Sequence, residues 1–167
     1  MKVAIDSCSA ILLAKATILE ALSDRYELVM TEEVYKEILK GKEKKFIDAL
    51  LTERLVKEKK IKTKSGANGA LIKKLMQDFN LGVGEAETLA LAINRQCEAV
   101  ITDNRQGRKT ASVYKLNLVG SIDVIIALHK LGLINKDKTL DGLKKLREFG
   151  WFANYLIDNA LQEVKNA

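Results

Sequence analysis

Apolar positions along this chain fall into two rhythms. Val3-Ala4-Ile5, Leu28-Val29-Met30 and Ala99-Val100-Ile101 are short continuous runs. Between them, Leu, Ile and Val recur at three- and four-residue spacing. Continuous short runs read as strands buried in a parallel sheet, and the spaced positions read as amphipathic helices. The pattern predicts strands over about 2–6, 26–30, 99–102 and 116–119, with a lysine-studded edge strand over 55–62. Helices are predicted over about 10–14, 17–23, 44–54, 70–79, 85–95, 105–114, 122–131, 137–148 and 152–165, and one more is capped by Thr31. Ser65-Gly66-Ala67-Asn68-Gly69 is the clearest loop. Alternating strands and helices predict an α/β fold, a three-layer α/β/α sandwich around a mostly parallel sheet. A single domain over 1–167 is expected, with 1–121 holding the sheet and 122–167 the extra C-terminal helices.

Composition narrows the class. No stretch approaches a membrane span, and the two cysteines, Cys8 and Cys97, form no metal or disulfide pattern. A reducing, cytoplasmic setting and no membrane partner are the expectation. The net charge of +6 is unevenly placed, with 11 Lys/Arg against 5 Asp/Glu between Lys36 and Lys64. That segment suits a polyanion, or is simply a solvated helical hairpin.

Four acids carry the chemistry. Asp6 and Asp103 close the first and fourth expected strands, and ligands of open parallel sheets bind at strand carboxyl ends. Glu37 lies on the helix face marked by Val34 and Ile38, and Glu85 opens an Ala-rich helix after Gly82-Val83-Gly84. Each has an ordinary alternative: Asp6 as a helix cap, Glu37 as an exposed helical acid, Glu85 as a first-turn acid. If they converge, two carboxylates about 5 Å apart repel by roughly 3 kcal/mol at an effective dielectric near 20. Protonation or a divalent ion must then relieve the charge, and oxygen-only donors suit Mg²⁺ or Mn²⁺. Ser7, Ser9, Thr102 and Asn104 stand beside the two aspartates as supporting groups. Glu87 points about 200° from Glu85 on an ideal helix and is a weaker, supporting candidate. Arg108 is a phosphate clamp or the partner of a surface acid. Trp151 and Phe152 read as anchors of the last helix to the core or to a dimer mate rather than as base-stacking groups.

Taken in order, these motifs resemble the PIN-domain ribonucleases. The resemblance rests on Val3-Ala4-Ile5-Asp6-Ser7, Val34-Tyr35-Lys36-Glu37, Gly84-Glu85-Ala86-Glu87 and Ile101-Thr102-Asp103-Asn104. Leu118-Val119-Gly120-Ser121 and Leu131-Gly132-Leu133-Ile134 are similar to a toxin-like prokaryotic branch with two added C-terminal helices. Only the lysine-rich stretch near 40–69 matches loosely. The chain departs from the family pattern at Cys8, where a small hydroxyl is usual. It also departs at Asn104, usually a second acid, and at Glu85, usually Asp. The resemblance implies a PIN-like fold and a metal-dependent endoribonuclease acting on single-stranded RNA. It also implies Asp6, Glu37, Glu85 and Asp103 as metal-holding catalytic residues, a homodimer, and a toxin role restrained by a small antitoxin. Two rivals remain. A non-catalytic PIN-like scaffold binding RNA or protein is kept open by Cys8, Asn104 and the basic insert. A phosphotransfer domain of doubly wound type is disfavoured because no acidic pair surrounds Asp6.

Overall fold

In a computed structural model of the protein, residues 1–66 and 68–167 are described; Ala67 of the expected loop lies outside them. Five strands form one all-parallel sheet in the order β3-β2-β1-β4-β5. They are β1 (Lys2–Ile5), β2 (Glu27–Thr31), β3 (Ile61–Lys64), β4 (Ala99–Ile101) and β5 (Leu118–Val119). Side chains alternate across a strand, so each run feeds two cores. Val3, Ile5, Leu28, Met30, Ala99 and Ile101 enter one, while Ala4, Val29 and Val100 enter the other. That double burial is why these runs are apolar throughout.

The larger core is covered by α1 (Ser7–Lys15), α2 (Leu19–Arg25), α3 (Glu32–Leu39) and α4 (Ile47–Lys57). The later helices α8 (Ser121–Lys130), α9 (Lys136–Phe149) and α10 (Asn154–Lys165) join the same layer. The opposite face is covered by α5 (Gly69–Phe79), α6 (Val83–Ile93) and α7 (Arg105–Val113). The expected three-layer sandwich is therefore present. Among the described residues, no helix is long and apolar enough to cross a membrane.

Strand order fixes where a site can form. From β1 the chain winds outward through β2 to β3, then returns to place β4 and β5 on the other side. The order reverses between β1 and β4, and a crevice opens at such a switch point, outside the strand carboxyl ends. Ile5 lies beside Ile101 there, so Asp6 and Asp103 follow the two strands that flank the crevice.

Two expectations change. The edge strand is Ile61–Lys64, not 55–62, because Leu55 is fully buried on α4, which continues to Lys57. Phe152 packs against the larger core as an anchor would, but Trp151 makes no such contact and stands wholly in solvent.

Candidate active site

Three of the four acids, Asp6, Glu85 and Asp103, sit at the site because helices start there; Glu37 comes from the last turn of α3. Asp6 is the N-cap of α1, and its Oδ1 accepts a 2.8 Å hydrogen bond from the Ser9 backbone N–H. Gly120 is the N-cap of α8, and Asp103 reaches in from the end of β4, its Oδ1 accepting from the Ser121 N–H at 2.8 Å. Glu85 closes a capping interaction at the start of α6, its Oε2 accepting from the Gly82 N–H at 3.0 Å. Asn104 caps α7 through the Gly107 N–H at 2.9 Å. Four helix N-termini thus surround the switch point, and their dipoles favour negative charge.

Side chains connect the caps into a ring. Ser7 Oγ donates to Glu37 Oε2 at 2.6 Å, joining α1 to α3. Glu37 borders Gly84, where a Cβ would come 3.0 Å from its Oε1. The neighbouring Glu85 accepts at Oε1 from Asn104 Nδ2 at 2.8 Å. Ser9 Oγ donates to Asp103 Oδ2 and accepts from the Asp103 N–H, both at 3.1 Å, closing the ring beside Asp6. Buried Thr102 accepts from the Asn104 N–H at 3.2 Å and so shapes the turn that carries Asp103.

One oxygen stands out. Asp6 is 2% exposed, and its Oδ2 is buried with no hydrogen-bond partner among the described residues. Burial pushes its carboxyl from 3.8 up to about 6; Thr102 and Ser9 oppose the shift, and the Asp103 charge adds to it. The Cys8 thiol, although exposed at the surface, is pushed up to about 11, first by loss of hydration and then by Asp6, Asp103 and Glu85 together. Three of the four acids therefore act on one point.

The remaining candidates divide. Arg108 reaches Asp103 Oδ1 at 3.8 Å while remaining half-exposed. Glu87 does not join the ring: its carboxylate lies against Gly66, and its Oε2 is buried without a partner among the described residues. Ser121 was not singled out by sequence reasoning. It is fully buried, and its hydroxyl also donates to Asp103 Oδ2. Nothing local marks it, because its role exists only once β5 lies beside β4.

Among the described residues, no three His, Cys, Asp or Glu side chains already stand together as a metal cage. Local donors explain this, since Ser7, Asn104 and Ser121 each occupy an acid oxygen. The donor chemistry still fits a hard divalent ion: Asp6, Glu37, Glu85 and Asp103 all offer carboxylate oxygens, and Asp6 Oδ2 accepts no hydrogen bond of normal geometry among the described residues.

A parallel α/β sandwich with Asp6 and Asp103 flanking its switch point belongs to the class of folds that bind ligands at strand carboxyl ends. Within that class the chain belongs to the PIN-domain family, because a family model described as a PIN domain matches residues 2–166. No curated protein and no solved structure gives a match. PIN domains are generally nucleases that bind RNA and use divalent metal ions.

Proposed function

We propose that this PIN-domain chain is a metal-dependent endoribonuclease that hydrolyses phosphodiester bonds in single-stranded RNA. The observation that carries the reading is the buried, unpartnered Asp6 Oδ2 inside a ring of further carboxylates. Asp6, Glu37, Glu85 and Asp103 would hold Mg²⁺ or Mn²⁺. The bound ion would supply Lewis acidity toward a phosphate oxygen and lower the pKa of the attacking water.

This chain's own groups do the positioning. Ser9 couples Asp6 to Asp103 through its backbone N–H and its hydroxyl. Ser7 and Asn104 orient Glu37 and Glu85, and Thr102 steadies the Asp103 turn. Arg108, half-exposed beside Asp103, is the phosphate clamp. Glu87 is left outside this set by its contact with Gly66. The similarity to toxin-like PIN proteins extends the proposal to a cytoplasmic homodimer restrained by a small antitoxin.

A non-catalytic RNA- or protein-binding scaffold is the second reading. It is favoured by the hydroxyl and amide groups that already occupy acid oxygens. Cleavage of a mixed-sequence single-stranded RNA with Mn²⁺, Mg²⁺ or chelator separates the two. Asp103→Asn is the control, because Asn has nearly the same shape and keeps an oxygen to accept from the Ser121 N–H, so the fold should survive. The expected result is chelator-sensitive cleavage that falls at least about 100-fold in the variant, beyond the roughly 10- to 100-fold typical of losing a group that only supports a metal ligand. No cleavage, together with no Mn²⁺-induced rise in melting temperature, would leave only the scaffold.

A further inference from the structure

The turn between α9 and α10 exposes aromatic surface for which the fold has no use. Phe152 folds back over Gly150, where a Cβ would lie 2.5 Å from its ring. Neighbours along extended backbone point opposite ways, so Trp151 is turned outward and is 103% exposed. Tyr155 is 65% exposed on the first turn of α10. Both border a groove of about 990 Å³ floored by Ile122, Ile126 and Phe152. Asp103, Arg108 and Gly120 line the same groove, so it runs into the candidate active site.

The groove's three cations balance its three acids, so the placement of charge rather than its sum points to the occupant. Helix α7, which borders the site end, carries Arg105, Arg108 and Lys109 and no acid. The groove's own acids are mostly answered: Lys130 holds Glu163 at 2.6 Å and Arg108 reaches Asp103, leaving Asp123. Among the described residues Arg105 pairs with no acid, and it lines the groove. Flat aromatic faces at one end, and at the other a free Arg105 beside the half-exposed Arg108, suit a polymer with exposed bases and a charged backbone. An apolar peptide would use the floor but not the arginines.

We propose that this groove is the path for single-stranded nucleic acid, with bases stacked on Trp151 and Tyr155 and phosphates held by Arg105 and Arg108. Its direction toward the carboxylates rests on the nuclease reading; binding in the groove does not.

Trp151 is the only tryptophan in the chain, so its fluorescence reports the groove alone. The wild-type protein in chelator is titrated with a single-stranded RNA of about 12 nucleotides, within the usual reach of such grooves. Saturable quenching is expected, and a duplex of the same sequence should quench far less. By anisotropy of a labelled single-stranded RNA, which does not depend on the tryptophan, Trp151→Ala should weaken binding about 5- to 150-fold, the range for losing one stacked base, and Trp151→Phe should restore most of it. Tyr155→Ala should weaken it similarly. Absence of quenching, or an RNA affinity unchanged from wild type in both alanine variants, would overturn the path. So would a change of oligomeric state in Trp151→Ala with RNA affinity unmoved, which assigns the groove to a second copy of the chain. Quenching without any cleavage in Mn²⁺ keeps the groove and removes the nuclease; cleavage without quenching does the reverse.

Discussion

Asp6 divides two duties between its two oxygens. Oδ1 caps α1, which any good N-cap residue would do, while Oδ2 is buried with no partner among the described residues. Such an atom costs stability, and the cost depends on pH. The unfolded carboxyl titrates near 3.8 and the folded one at about 6, so the folded state holds the extra proton between those values. Stability from this group is complete below about 4 and is lost as pH rises through 6. The full difference corresponds to about 3 kcal/mol as a ceiling. Asp6→Asn keeps the cap and removes the charge. In chelator near neutral pH the variant should therefore be more stable than wild type by about 1–3 kcal/mol, with the gap closing toward pH 4. Urea unfolding of both proteins across that range measures it. Mn²⁺ should stabilise the wild type and not the variant, so the same substitution that strengthens the metal-free protein should remove its response to the ion. Equal stability at all pH values would mean that Oδ2 is solvated.

Helix ends show how far elements can be read from this sequence and where reading stops. Starts are partly legible: Thr31 caps α3 as expected, whereas α1 begins at Ser7 rather than near 10 because Asp6 is its N-cap, and Asn104 and Asn135 cap α7 and α9 through their side chains. The apolar strands and the order of the four acids are plain. Stops are not. Four helices end in a turn whose left-handed residue is usually glycine, but here it is Thr17, Lys59, Arg95 or Lys115. At the end of α4 the Lys60 N–H returns to the Leu55 carbonyl, and nothing in a lysine announces it. That silence is why 55–57 reads as strand and is helix. Ser121 is hidden for another reason, since its contact with Asp103 spans two strands. A left-handed non-glycine residue is strained by roughly 1–2 kcal/mol, partly offset by glycine's larger unfolded freedom. Lys59→Gly should therefore raise stability by about 0.5–1 kcal/mol, read as a higher urea midpoint at unchanged slope. A lower midpoint would mean that the Lys59 side chain stabilises the turn.

Across the molecule, the location of positive charge matters more than its amount. The lysine-rich segment holds the whole excess of the sequence, yet much of it is spent internally. Lys42 and Lys57 hold Glu53, Lys60 holds Asp24 and Glu20, Lys62 holds Glu27, and Arg54 bridges Glu20 and Glu58. These pairs are exposed and add little stability, but they subtract from the field available to a polyanion. The turn bearing Lys44 and Lys45 does not line the groove that leads to the acids, whereas Arg105 and Arg108 do. RNA should therefore sense α7 rather than the stretch that dominates the composition. Each phosphate neutralised in a single strand contributes about 0.7 to the slope of log affinity against log salt. Replacing Arg105 and Arg108 together with Ala should lower that slope by about 1.4 and weaken binding at all salt concentrations. Replacing Lys44 and Lys45 should leave the slope within about 0.3 of wild type, well under one phosphate's share. Anisotropy titrations of labelled single-stranded RNA in chelator, at KCl from about 50 to 200 mM, supply both numbers. The reverse ranking would move the binding surface to the α3–α4 hairpin and make the basic insert the RNA contact.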